Sequence, residues 1–107
     1  MKRFTDATSE VLRALRASFV ALELVFEEIR SRSWASVTFS GARHELCFRV
    51  SGDGAAEAAD RFIHHLEARE FDLRGHIMAD MALVSEERPD GADWVRISVE
   101  ALTVEDC

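Results

Sequence analysis

Asp80 and Glu100 are the residues whose type and predicted position could do acid–base chemistry. Each lies in an alternating segment near the C-terminus, and a hairpin that joins the two segments places the carboxylates directly opposite each other. If this pair were buried, one carboxyl group would keep its proton and could act as a general acid or base. Arg49 or Arg96 would supply the neighbouring positive charge. The competing interpretation is structural, with both carboxylates solvated or neutralised by arginines across a dimer interface.

The hairpin follows from two runs of alternating apolar and polar residues, His76–Glu87 and Trp94–Glu105. Pro89, Asp90 and Gly91 between them suit a three-residue loop with a bulge, in which Gly91 takes a positive φ. With this loop, residues equidistant from Asp90 oppose each other, and the odd-numbered apolar residues face the core. These residues are Ile77, Ala79, Met81, Leu83, Val95, Ile97, Val99 and Ala101.

The open face, meaning the side of the predicted sheet that no helix covers, carries apolar residues among its charges. They are Trp34, Cys47, Met78, Val84, Trp94 and Leu102. A sheet face exposed to water is normally polar, and an apolar patch of this kind usually indicates a partner. We therefore expect a homodimer that uses the open face. A small molecule or another protein is the alternative occupant.

Other reactive residues do not converge on a recognisable site. The four histidines do not meet in the tetrahedral arrangement that zinc requires: His44, His64, His65 and His76. The loop at residues 50–55 has two glycines but lacks the lysine of a phosphate-binding loop. Cys47 lies in mid-strand, and Arg49, its neighbour on the same face, cannot act as a base, so Cys47 is expected to be a buried or interface thiol. We predict neither a metal nor a cofactor.

Composition narrows the class of protein. Of 107 residues, 48% are hydrophobic, and the net charge is -7, which fits one soluble domain spanning residues 1–107. An acidic chain repels phosphate backbones, so nucleic-acid binding is not expected. No stretch approaches the roughly 20 apolar residues that cross a bilayer. Cys47 and Cys107 are too few for a disulfide framework, and no signal peptide is visible, so we expect a cytoplasmic protein.

Hydrophobic spacing predicts the elements before the final hairpin. A helix over residues 6–32, capped by Thr5 or Asp6, follows from an apolar stripe at spacings of three and four. Strands are predicted over residues 34–40 and 44–50, with their turn at Gly41. The second helix is predicted over residues 55–70, with Asp53 as its cap. The stripe of the first helix is Leu12, Leu15, Phe19, Leu22, Phe26 and Ile29.

The element order α-β-β-α-β-β predicts an α+β two-layer sandwich, with both helices on one face of a four-stranded sheet. It resembles the ferredoxin-like unit in topology, circularly permuted, which implies the strand order 1-2-4-3; a meander, 1-2-3-4, is the alternative. We interpret the chain as a non-enzymatic binding or interaction domain. The alternative is a small enzyme whose site at a dimer interface uses Asp80 and Glu100 as acid and base.

Overall fold

An antiparallel four-stranded sheet with two helices on one face makes up the computed structural model, which describes residues 6–66 and 70–106. In chain order the elements are α1 (Ala7–Ser18), β1 (Glu23–Ala35), β2 (Ser40–Ser51), α2 (Ala55–His64), β3 (His76–Glu87) and β4 (Trp94–Glu105). The strand order is β1-β2-β4-β3. The predicted two-layer α+β fold and its permuted order are confirmed, and the meander is wrong.

The core lies between the helices and the sheet. Phe19 after α1, Phe48 of β2 and Phe62 of α2 are in mutual contact, with ring centroids 5.0–6.1 Å apart. Tilted and edge-to-face contacts at these distances are the favourable geometry for aromatic rings. The predicted core positions of β4 are confirmed as buried: Val95, Ile97, Val99 and Ala101.

The predicted helix over residues 6–32 is wrong in its second half. The helix ends at Ser18, Ala21 takes a φ of 72°, and β1 begins at Glu23. Leu22 and Phe26, which fit the helical stripe, also fit the alternation of a strand when Leu24 is included. Pairing along the whole length of β2 stabilises the strand over the local helical preference.

The turn of the first hairpin therefore lies earlier than predicted. Ser36 N–H donates to the Phe39 carbonyl (2.7 Å), and Gly41 already belongs to β2. A β-carbon at Gly41 would overlap the backbone carbonyl of Thr103 and touch the Trp34 ring. Glycine is needed here because two neighbouring groups approach the backbone, and not for an unusual turn conformation.

The predicted cap of the first helix is confirmed, and that of the second helix is wrong. Asp6 caps α1 by accepting a hydrogen bond from Ser9 N–H (2.8 Å), as expected, while Thr5 lies outside the described residues. At α2 the cap is Gly54, with a φ of 86°, and Asp53 makes no capping bond. α2 ends at His64, short of the predicted residue 70, and residues 67–69 of the predicted helix lie outside the described part.

Two bulges in β3 change the predicted register of the last hairpin. The pairing jumps between Met78 and Asp80, and again between Leu83 and Ser85. The loop is also longer than predicted, because the last pair before it is Glu87 with Arg96. The positive φ of Gly91 (76°) is confirmed.

Each bulge inverts which residues of β3 face the helices. Met78 pairs with the buried Thr103 and packs against the core, whereas Ile77 is 52% exposed on the open face. Ile77 and Ala79 were predicted to be buried, and that prediction is wrong. Met81 is buried as expected, and Leu83 faces the helices but remains 37% exposed at the edge of the sheet.

Candidate functional site

The open face consists of side chains from all four strands arranged in rows across the sheet. One row contains Arg32, Arg43, Leu102 and Asp80, in the order of the strands β1-β2-β4-β3. A second contains Arg30, Glu45, Glu100 and Ala82, and a third contains Trp34, Gly41, Val104 and Ile77. Neither helix covers this surface.

Asp80 and Glu100 share the open face but are not opposite each other. Asp80 opposes Leu102, and Glu100 opposes Ala82 on one side and Glu45 on the other. The directly opposed carboxylates are therefore Glu45 and Glu100. The difference arises between Asp80 and the loop: the longer loop shifts the pairing by three residues and the bulge at Val84 takes back one, so that Asp80 meets Leu102 instead of Glu100.

Arg49 and Arg96 lie at a different end of the open face from Asp80. Arg96 Nε donates to Glu27 Oε1 (2.7 Å), Arg96 Nη1 donates to Glu87, and Arg49 Nη1 lies 3.4 Å from Glu27. The hydrogen bond from Arg96 lowers the pKa of Glu27 and raises that of Arg96. The two arginines are thus held in an internal ion network.

The indole of Trp94 completes this network. The guanidinium carbons of Arg96 and Arg49 lie 4.9 Å and 5.8 Å from its centroid, within the range of cation–π contacts. Glu27, which joins the two cations, sits at the bulge of β1 between Phe26 and Glu28. Sequence reasoning missed Glu27 because it placed this residue in a helix, where no cross-strand contact could be anticipated.

The predicted apolar patch is present only in part. Trp34, Cys47, Trp94 and Leu102 are half-buried in open-face register positions, and Val84 is 58% exposed at the second bulge of β3. Met78 lies on the helix side, so its assignment to the open face is wrong. Ile77 was missed, because strict alternation from Met81 assigns it to the core.

A hydrogen-bonded chain runs from Thr8 of α1 through the exposed Ser31 to the buried His44 and Thr103, and so links α1 to three strands. Thr103 Oγ1 donates to the Ala42 carbonyl (3.3 Å) and therefore accepts from His44 Nε2 (3.0 Å). Ser31 Oγ then donates to His44 Nδ1 (2.8 Å) and accepts from Thr8 Oγ1 (2.8 Å). His44 is fully buried, and burial lowers its pKa, so the ring is neutral.

This chain contains a serine–histidine pair that sequence spacing did not reveal. A nucleophilic serine needs a histidine that a carboxylate orients from its other nitrogen. Here the hydroxyl of Thr103, and not a carboxylate, contacts the other nitrogen of His44. The Ser31 hydroxyl lies beside a cavity of about 240 Å³ that Asp6, Thr8 and His76 also line. The arrangement is that of a satisfied structural network.

Neither a metal site nor a membrane span emerges from the described residues. No group of three or more His, Cys, Asp or Glu side chains in this part of the chain could hold a metal ion. His64 and His65 contact each other edge to face at the end of α2 (4.8 Å), away from the other histidines. None of the described helices is long and apolar enough to cross a membrane.

Comparison with known proteins identifies a shared fold. No protein-family profile and no curated protein matches the chain. Among solved structures, it is similar to a chain of the virion of a native gene transfer agent particle, with a TM-score of 0.56 and 17% identity. The likeness covers 94% of this chain and 96% of that chain. At this identity it concerns the fold alone, which the two chains share over nearly their full length.

Proposed function

We propose that this protein is a non-enzymatic interaction domain that binds a second copy of itself through the open face. The observation that carries the proposal is an uncovered sheet face of the size that stable interfaces need. Strands of about 12 residues at ~3.4 Å per residue and a strand spacing of ~4.8 Å give roughly 750 Å². A standard interface buries about 800 Å² on each partner.

The chemistry of the open face favours binding over catalysis. Asp80 and Glu100 oppose other residues, and Arg49 and Arg96 are already hydrogen-bonded or ion-paired to Glu27. The alternative enzyme would use Asp80 or Glu100 with Arg49 or Arg96 at a dimer interface, and within one chain the two arginines lie at the other end of the face from Asp80. Exposed Ile77 and Val84 on the same face as the half-buried Trp34 and Trp94 are instead typical of an interface.

The structural comparison supports the same proposal. A virion is a particle built from many protein subunits, so the fold occurs in at least one protein that works within an assembly. We include a cytoplasmic location in the proposal, because Cys47 is a free thiol and the chain lacks a disulfide framework.

Light scattering across a hundredfold range of protein concentration tests the proposal directly. The chain has a mass of 12.0 kDa, and we expect a species of twice that mass that dissociates on dilution. A monomer throughout the range would refute self-association and would make the open face a surface for a different partner.

Cys47 provides a second readout of the same surface. It lies on the open face and is half-buried. In a Cys107→Ser variant, a thiol reagent should modify Cys47 more slowly at high protein concentration than at low concentration. Equal rates would place the contact elsewhere, even if the mass measurement showed a dimer.

A further inference from the structure

Four exposed charged residues on the open face have no ionic partner among the described residues. Arg32 and Arg43 lie on β1 and β2, and Asp80 and Glu100 lie on β3 and β4. Within residues 6–66 and 70–106, none of the four forms an ion pair. Of these four residues, the two basic ones therefore lie on the β1–β2 half of the face and the two acidic ones on the β4–β3 half, whereas Glu28, Glu45 and Arg96 of the same face have ionic partners.

The strand order determines how two such faces can meet. A twofold axis that runs parallel to the strands, between β2 and β4, places β1 of one copy over β3 of the other and β2 over β4. Each row then faces the same row of the partner. Arg32 lies over the partner's Asp80, and Arg43 lies over the β4 segment that carries the partner's Glu100.

Apolar residues match in the same arrangement. The row of Trp34 and Ile77 lies next to the charged row, on β1 and β3 respectively. The axis therefore places Trp34 of one copy over the 52% exposed Ile77 of the other. Packed sheets lie ~10 Å apart, a gap that tryptophan and arginine side chains can span.

The remaining charges near the axis are accommodated as well. Glu45 and Glu100 of both copies lie close to the axis, and their carboxylates would repel each other without counterions. Arg30 Nη1 lies 4.0 Å from Glu45, while its Nη2 donates to Glu28 (2.7 Å). In this arrangement the partner's Arg43 lies one row from Glu100, so each carboxylate of this row has a guanidinium nearby.

A twofold axis perpendicular to the strands is unfavourable by the same reasoning. It places β1 over β1 and β2 over β2 with the rows reversed, so that Arg43 lies near Arg49 of the partner. Arg49 is already held by Glu27, which leaves the charge of Arg43 without a carboxylate. Charge complementarity therefore selects the axis parallel to the strands.

We propose that two copies pack open face to open face about an axis parallel to the strands, with Arg32 and Arg43 of each copy paired to Asp80 and Glu100 of the other. This inference rests on the proposed function and specifies its interface. Each contact occurs twice in such a dimer, once in each direction. The proposed pairing therefore predicts that two variants with opposite charge reversals bind each other although neither binds itself, which a variant that merely loses a charge could not test.

Two charge-reversed variants provide the test. Arg32→Glu with Arg43→Glu makes the rows acidic, and Asp80→Arg with Glu100→Arg makes them basic. Each variant alone should dimerise roughly a hundredfold more weakly than the wild type. An equimolar mixture should form a heterodimer, because every pairing then joins opposite charges. The variant with all four substitutions should again form a homodimer.

Controls separate this inference from the proposed function. Arg61→Glu and Glu57→Arg reverse exposed charges on α2 and should leave dimerisation unchanged, and circular dichroism should show that every variant is folded. A wild type that is monomeric refutes both proposals. If the wild type dimerises and the folded charge-reversed variants still form homodimers, self-association is supported and this pairing is wrong. The pairing is also wrong if the two variants are monomeric and fail to form a heterodimer on mixing.

Discussion

Neutralising Glu10 should destabilise the protein at neutral pH but not at low pH. Its carboxylate is fully buried at the start of α1, where Oε1 accepts hydrogen bonds from Arg13 Nη2 and from the backbone N–H of Arg74, both at 2.8 Å. The hydrogen bond from Arg13, followed by that from Arg74, lowers the pKa of Glu10 from 4.5 to about 2 against the opposing effect of burial. The carboxylate thus ties the loop before β3 to the first helix.

The size of the effect follows from linkage between protonation and folding. A pKa of about 2 in the folded protein against 4.5 in the unfolded chain corresponds to about 3 kcal/mol. The side chains of Arg13 and Arg74 are 42% and 69% exposed, so solvent screening reduces our expectation to about 2 kcal/mol. Since the folded pKa is the lower one, this stabilisation is present above pH 4.5 and disappears as the pH falls towards 2.

Urea unfolding of Glu10→Gln at pH 7 and pH 3, at one protein concentration, measures both quantities. We expect the free energy of unfolding to fall by about 2 kcal/mol at pH 7. The difference in the free energy of unfolding between the variant and the wild type should be smaller at pH 3 than at pH 7. Glu57→Gln is the matched control, since Glu57 lies in the first turn of α2 but is exposed. A loss at pH 7 no larger than the control's, or a loss independent of pH, would refute the reasoning.

Three further substitutions test other parts of the structure by the same unfolding assay. Thr103→Val removes the acceptor of the His44 N–H and should lower the free energy of unfolding by about 1–3 kcal/mol. The control Thr38→Val, at an exposed position, should change it little, and equal effects of the two substitutions would contradict the buried hydrogen bond. Gly41→Ala should cost more than about 2 kcal/mol because of the overlap with the Thr103 carbonyl, and a neutral result would contradict this close approach. In the monomer, at a protein concentration too low for dimerisation, Asp80→Asn should change stability by less than about 0.5 kcal/mol, because Asp80 is exposed and opposes Leu102. A large loss under these conditions would contradict the exposed position of Asp80.

The sequence was sufficient where local and long-range preferences agree. In β4, strict alternation from Val95 to Ala101 predicted the buried face, and Gly91 marked the turn before it. The element order reduced the possible strand orders to β1-β2-β4-β3 and the meander, because a hairpin, a crossover helix and a second hairpin combine in few ways, and the first of the two is the one observed. These features depend on patterns that each occur within about 12 residues of chain.

The first helix shows where the same reasoning fails. Residues 19–29 contain apolar side chains at both helical and strand spacing, so periodicity alone cannot distinguish the two. Pairing with β2 decides the outcome, and this contact joins residues distant in sequence. Glu27 and Ser31 consequently acquire contacts, to Arg96 and His44, that a helix in this position would not have allowed.

The arrangement of side chains on the open face depends on two single-residue bulges in β3, which the sequence pattern did not predict. Because side chains alternate, one inserted residue exchanges the two faces for everything beyond it. The bulge at Ala79 moves Met78 into the core and Ile77 to the open face, and the bulge at Val84 turns Asp80 to the open face opposite Leu102. Without the bulge at Val84, Asp80 would face the helices and the row of Arg32 would carry no carboxylate. The charge pattern on which we base the dimer is therefore set by backbone irregularities, whereas the fold that supports it follows from the regular pattern of the sequence.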